Sequence, residues 1–179
     1  MNYAKSEWIW DALTFPGVVV RQTVKFGLCR MMRLAVLESC YFQFENPCGF
    51  VRPEPAASVV ADIVFVVVPF VVCSLLGSCL ALPAVIPVVS YGETLPPYLV
   101  VIWLGISVAS HAFPDGEDAK RLWKSTRASS AAARFVATPF ALFTSLGAVG
   151  RIAWVDFAFG AAVVVWVPMV IMEYMLKVH

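Results

Sequence analysis

Residues 56–82 read AASVVADIVFVVVPFVVCSLLGSCLAL, a run whose one ionisable side chain is Asp62. At about 1.5 Å of rise per residue, a helix of this length crosses a hydrocarbon core roughly 30 Å thick with some tilt. The whole chain is of the same kind. Of its 179 residues, 60% are hydrophobic and 14% charged, and the mean hydropathy is +0.80, whereas a soluble globular domain carries about 25% charged residues. This composition predicts an all-α integral membrane protein and argues against a multidomain soluble enzyme. A formal net charge of +1 without a long basic run gives no footing for nucleic acid. Cys29, Cys40, Cys48, Cys73 and Cys79 form no C-x-x-C pair, which argues against a disulfide framework and against zinc-ribbon spacing.

Four spans are predicted from residue 56 onward. Pro83 and Pro87 place the end of the first near Leu82, with a short reversal before the second at 97–113. Residues 114–130, PDGEDAKRLWKSTRASS, are too charged for lipid and read as a polar loop. Spans at 131–149 and 152–176 then read as a helical hairpin. On the N-terminal side, ESCYFQFENPCGFVRPEP at 38–55 alternates aromatic and polar residues and turns at Asn46-Pro47 and Gly49, which predicts a short interfacial hairpin. Lys and Arg crowd 114–134 and are absent from 83–97. That bias puts the 114–130 loop, the 38–55 hairpin and Lys177 on the cytoplasmic side, in the inner or plasma membrane of a prokaryote. Cys73, Gly77 and Ala81 put small residues four apart along one helix, a ridge that lets membrane helices approach closely.

Residues 12–37, ALTFPGVVVRQTVKFGLCRMMRLAVL, break the pattern. At about 100° per residue, Arg21, Gln22, Lys25, Cys29 and Arg33 fall within an arc of about 120°, opposite an apolar face. Such a helix either lies flat in the headgroup layer or inserts with its cations turned into the bundle, which makes five spans instead of four. If it inserts, the cations need carboxylates or water, and Asp62, Asp118 and Asp156 are the candidates.

Three strings in order, FPGVVV at Phe15–Val20, NPCG at Asn46–Gly49 and HAFPDGEDAKRLW at His111–Trp123, resemble a prokaryotic group of small membrane proteins related to the site-2 protease class of intramembrane zinc metalloproteases. In that class the helix after the first string carries H-E-x-x-H, two zinc-binding histidines one turn apart and a water-activating glutamate, and a carboxylate from a later helix completes the site. Asp118 is matched to that carboxylate, and His111 precedes it. The departure is at the chemistry: the five motif positions read Arg21, Gln22, Thr23, Val24 and Lys25. Arginine has no lone pair to give zinc, and two cations at one point repel a dication.

The resemblance therefore implies an inactive relative, a pseudoenzyme without zinc or other cofactor, whose cations pair with Asp118 where the metal would be. Its expected role is that of a structural or regulatory subunit, with another integral membrane protein or complex, and lipid, as partners and a polar groove at Arg21, Gln22, Lys25, His111 and Asp118. The alternative is a small transporter or channel-like component, motivated by Asp62 and Asp156 in or near apolar segments. A third reading, an enzyme using Cys29 as thiolate beside the cations, lacks a base placed by the sequence. Ser107 one turn before His111 gives only a faint serine-hydrolase pattern.

Overall fold

A computed structural model describes residues 9–45, 48–56, 58–152 and 155–178, with the backbone alone described at 148–152, 176 and 178. Asn46 and Pro47 of the NPCG string lie outside the described residues. The structure is mostly helical, so helices build the core, and among the described residues one two-stranded sheet only decorates it. The order is α1 (residues 9–13), α2 (Phe15–Met31), β1 (Val36–Cys40), β2 (Phe50–Pro53), α3 (Val59–Tyr91), α4 (Pro96–Ser110), α5 (Gly116–Ala128), α6 (Ala131–Ile152) and α7 (Val155–Val178).

Pro16 stands in the first turn of α2, where its missing N–H leaves no helical bond unmade. The helix faces the protein with Gly17, Val18, Arg21, Gln22, Lys25, Leu28 and Cys29, so Arg21 and Lys25 turn inward while Arg30 and Arg33 of the same segment stay exposed. After α2 the chain reverses through Arg33, whose φ of 55° is left-handed. β1 and β2 then pair antiparallel, Glu38 with Arg52 and Cys40 with Phe50. Val51 points inward and packs with Leu28, Cys29 and Phe65.

α3 begins at Ser58, whose side chain caps the Ala61 N–H, and it does not stop near Leu82. It continues through Pro83 and Pro87 because each proline removes only one backbone bond, while Ala81 and Val85, fully buried with Ala109 and Val164, hold the turn in place. The true stop is Gly92, whose φ of 71° lets its N–H return to the Val88 carbonyl. The small-residue ridge faces α4. A Cβ added to Gly77 would sit 2.6 Å from the Gly105 carbonyl oxygen, an approach that only glycine permits.

The predicted 114–130 loop is a helix, α5. Asp115 caps it by accepting from the Asp118 N–H, and the Asp118 side chain accepts from the Asp115 N–H in return. α6 folds back on α5, with the Trp123 indole donating to Ser145 at 2.7 Å and the Arg134 guanidinium donating to the Arg127 carbonyl. The expected hairpin of 131–149 with 152–176 is therefore corrected to a hairpin of α5 with α6. Leu122 of α5, completely buried, needs Ala137 and Ala141 of α6 to cover it.

α7 instead seats on α3 and α4. Phe159 stacks near Phe70, Ser78 donates to the Val163 carbonyl and Ser90 meets Met172, so α7 runs parallel to α3. Lys177 accordingly lies with Tyr91, at the far end from α5, and not beside it as its charge suggested. Among the described residues two helices are long and apolar enough to cross a membrane, Val59–Tyr91 and Val155–Met175, while Pro96–Ser110 and Ala131–Gly147 are apolar but shorter. Large apolar side chains such as Leu76, Leu80, Leu99, Leu146 and Trp166 face outward.

Candidate functional site

α2 and α5 meet at a cluster of four charges. The Arg21 guanidinium donates to Asp118 Oδ2 at 2.7 Å and to the Phe113 carbonyl. The Lys25 ammonium lies 2.8 Å from both Asp118 oxygens and 3.3 Å from Asp115 Oδ2, which is also 3.4 Å from Arg21. Arg21, Lys25 and Asp118 are 3%, 3% and 5% exposed, so the pairs are shielded from water and each charge depends on the others. Arg21 and Lys25 are one turn apart, which brings both heads to one carboxylate. Asp118 is held in turn as the third helical residue of the α5 capping box. Phe65 covers the cluster, with the Lys25 ammonium 5.6 Å and the Arg121 guanidinium 4.9 Å from its ring centre.

Of the residues expected in one polar groove, the structure brings Arg21, Lys25 and Asp118 together and separates two others. Gln22 turns to the hairpin, where its amide donates to the Gly49 carbonyl at 3.1 Å. His111, at the end of α4, sits farther along α2, beside Gly17. Its Nδ1 lies 3.0 Å from the Ser107 carbonyl and its Nε2 lies 3.3 Å from Asp11 Oδ1. Ser110 Oγ, 3.4 Å from the same Nδ1, donates to the Ser107 carbonyl. The trio of Ser110, His111 and Asp11 has the residue types of a hydrolytic triad. It offers no room for a substrate, because Gly160 of α7 closes on Ser110 so tightly that a Cβ there would be 2.7 Å from its backbone nitrogen.

Neither intramembrane candidate joins the cluster. Asp62 binds Arg121 at 2.7 Å, and Asp156 opens α7, accepting from the Phe157 N–H. Sequence reasoning missed Asp115 and Asp11. The first was legible as the N-cap of a D-x-x-D box, whereas nothing in the pattern paired Asp11 with a histidine 100 positions on.

A cleft of about 340 Å³ opens beside the cluster, lined among others by Phe50, Arg52, Phe65, Glu117 and Arg121. Arg52 stands at its mouth between Glu117 and Glu38, each 2.9 Å away, and these carboxylates, Glu117 foremost, raise the guanidinium's pKa above its ordinary value. Zinc does not fit the residues present. The positions that would supply imidazole carry cations, and both Asp118 oxygens are already engaged by them. Among the described residues no group of three His, Cys, Asp or Glu side chains comes together as metal donors. Cys29 is fully buried in the apolar cluster of Leu28, Val51 and Phe65. Comparison with protein-family models, with curated proteins and with solved structures finds no significant match.

Proposed function

We propose that this chain is a non-catalytic integral membrane protein, an inactive relative of the site-2 protease class, that serves as a structural or regulatory subunit by binding another membrane protein. The observation that carries the reading is the buried cluster of Arg21, Lys25, Asp115 and Asp118. Three of its four residues, Arg21, Lys25 and Asp118, are the positions that the resemblance matches to zinc ligands, and the cluster ties α2 to α5 as a metal would. A spent site of this kind keeps a groove without keeping chemistry. The cleft at Phe50 and Arg52 offers apolar floor, paired charge at its rim and the unpaired edge of a two-stranded sheet, features suited to an extended segment or a helix of a partner.

In this reading α3 and α7 span the bilayer, α4 and the apolar part of α6 complete a four-helix membrane unit, and α2 makes a fifth element whose inward cations, Arg21 and Lys25, never meet lipid. The unit belongs in a prokaryotic inner or plasma membrane. A polar transport path draws less support, since the buried polar groups sit apart, Asp62 with Arg121, Asp118 with α2 and His111 beside Asp11, instead of being strung along one passage.

The test is a metal analysis of the gently solubilised full chain together with quantification of copurifying membrane proteins. The expected result is no stoichiometric zinc and one membrane protein in fixed ratio, whose recovery falls in a Phe50→Glu variant that itself accumulates normally. Stoichiometric zinc, or recovery unchanged by Phe50→Glu, overturns the reading.

A further inference from the structure

The exposed side of α5 carries Lys120, Lys124 and Arg127, spaced four and three residues apart and so stacked on one face of the helix. Arg121, on the same helix, is neutralised by Asp62, but no carboxylate lies within ion-pair reach of these three among the described residues. Like charges so spaced repel one another and lower the stability of a bare helix. The stripe is therefore a cost to the fold unless an anion meets it.

The three cations line a cleft of about 610 Å³ between α5 and α6, with Trp123 and Ser145 on its wall. Trp123 is fixed there by its hydrogen bond to Ser145, and the Arg127 guanidinium stands 5.6 Å from its ring centre. On α6 near Ser145, Leu142 and Leu146, one turn apart from each other, are 51% and 72% exposed. A cationic ledge with a tryptophan thus borders an exposed leucine pair on the neighbouring helix. Charge beside exposed apolar surface is what an anionic headgroup and its acyl chains meet together at a membrane surface.

We propose that this groove is a binding site for an anionic phospholipid, with its phosphate among Lys120, Lys124 and Arg127 and its chains along Leu142 and Leu146. The site needs only that the chain is embedded in a bilayer and is independent of the partner-binding role. Charge complementarity selects the lipid: zwitterionic phosphatidylcholine carries its own cation to the ledge, whereas phosphatidylglycerol does not. Inorganic phosphate could satisfy the cations but has nothing to lay on the leucines.

The full chain in mild detergent is titrated with phosphatidylglycerol, phosphatidylcholine or inorganic phosphate while its unfolding temperature is followed, and lipid retained after purification is quantified. Phosphatidylglycerol is expected to raise the unfolding temperature saturably and to copurify, with the others inert. Apparent affinity should weaken about fivefold for each cation removed, and roughly a hundredfold in Lys120→Gln/Lys124→Gln/Arg127→Gln. If the triple variant does not fold, Lys124→Gln alone is read against Lys177→Gln at the opposite end, which should bind as the parent does. Equal stabilisation by phosphatidylcholine, full stabilisation by inorganic phosphate, or unchanged affinity in the Lys124→Gln or triple variant overturns the proposal.

Discussion

Replacing Asp118 by asparagine tests the central cluster with little change of shape. The amide can still accept the Asp115 N–H that closes the capping box, so the α5 start survives and the loss is one of charge. In the parent, two cations face two carboxylates. In Asp118→Asn, Arg21 and Lys25 share only Asp115, which is farther away, at 3.4 and 3.3 Å, and whose side chain is 27% exposed. An uncompensated positive charge is then left at residues that are 3% exposed. Removing one partner from a buried ion pair costs about 3–5 kcal/mol. For a chain of this size that lowers the unfolding temperature by roughly 6–20 °C. The decisive step is the second substitution. Lys25→Gln in the Asp118→Asn background restores the balance, leaving Arg21 with Asp115, and should recover part of the lost stability, with a coupling of about 1–3 kcal/mol. Tryptophan fluorescence during heating of the four proteins in one detergent reads the cycle. If the double variant is as unstable as the sum of its two singles, the side chains do not act as a charge-balanced unit and the reasoning fails.

Four further outcomes follow from the same geometry. Arg21→His, Gln22→Glu and Lys25→His together, with Asp118 retained, should create a zinc site, read as bound metal per chain; no zinc in a folded triple variant would count against kinship with the metalloproteases. Gly17→Ala should destabilise by about 1–3 kcal/mol or prevent folding, because its Cβ would fall 1.9 Å from the Ser107 carbonyl oxygen, whereas Gly27→Ala, with nothing within 4 Å, should stabilise by about 0.5–1 kcal/mol. Arg52→Gln, at an exposed ion pair, should leave the unfolding temperature unchanged, and a drop like that of Asp118→Asn would show that the hairpin bears on the core. Cysteines introduced at Lys120 and Lys177 should label from opposite sides of sealed vesicles, and labelling from one side would contradict the parallel course of α3 and α7.

What could be read from the sequence was set by what each segment's neighbours demand. The apolar run at 59–82 had to be a helix whatever surrounded it, and the hairpin announced itself by its turn residues and alternating pattern. The charged stretch at 116–128 looked like a loop because composition was weighed above its capping signal, Asp115-x-x-Asp118, and above the adjacent large apolar residues, Leu122 and Trp123, that a packed helix needed. The prolines at 83 and 87 misled because their effect depends on packing: in water they would end a helix, but here α4 and α7 brace it until Gly92 supplies a left-handed cap. The pairing of α6 with α5 instead of α7 could not be read at all. It depends on Gly160 fitting against Ser110 and on Ala137 and Ala141 covering Leu122, contacts between positions far apart in the chain.

The same distinction explains why the cluster was legible as far as it was. Two cations one turn apart on a helix of apolar neighbours must share one counter-charge, and a carboxylate at a helix start is the best-held one available. What the pattern could not give is why α2 stands at the height that lets them meet. That height is set at the other end of the helix, where Gly17 accepts the close approach of α4, its N–H donates to Ser107 Oγ and that hydroxyl donates to the Thr14 carbonyl. From Gly17 to Lys25 is two turns, about 12 Å, which carries the cations from the apolar contact with α4 to the start of α5. A buried ion cluster contributes little net stability compared with a well-packed apolar core, so its value here is geometric. It permits one register of α2 against α5, since sliding by one turn would carry Arg21 and Lys25 away from Asp115 and Asp118 and leave both cations buried without them. A metal imposes the same single register but also polarises whatever it binds. The cluster imposes the register through contacts that occupy both carboxylate oxygens of Asp118, Oδ1 with Lys25 and Oδ2 with Arg21, Lys25 and the Asp115 N–H, so that the carboxylate is held from both sides of the α2–α5 contact.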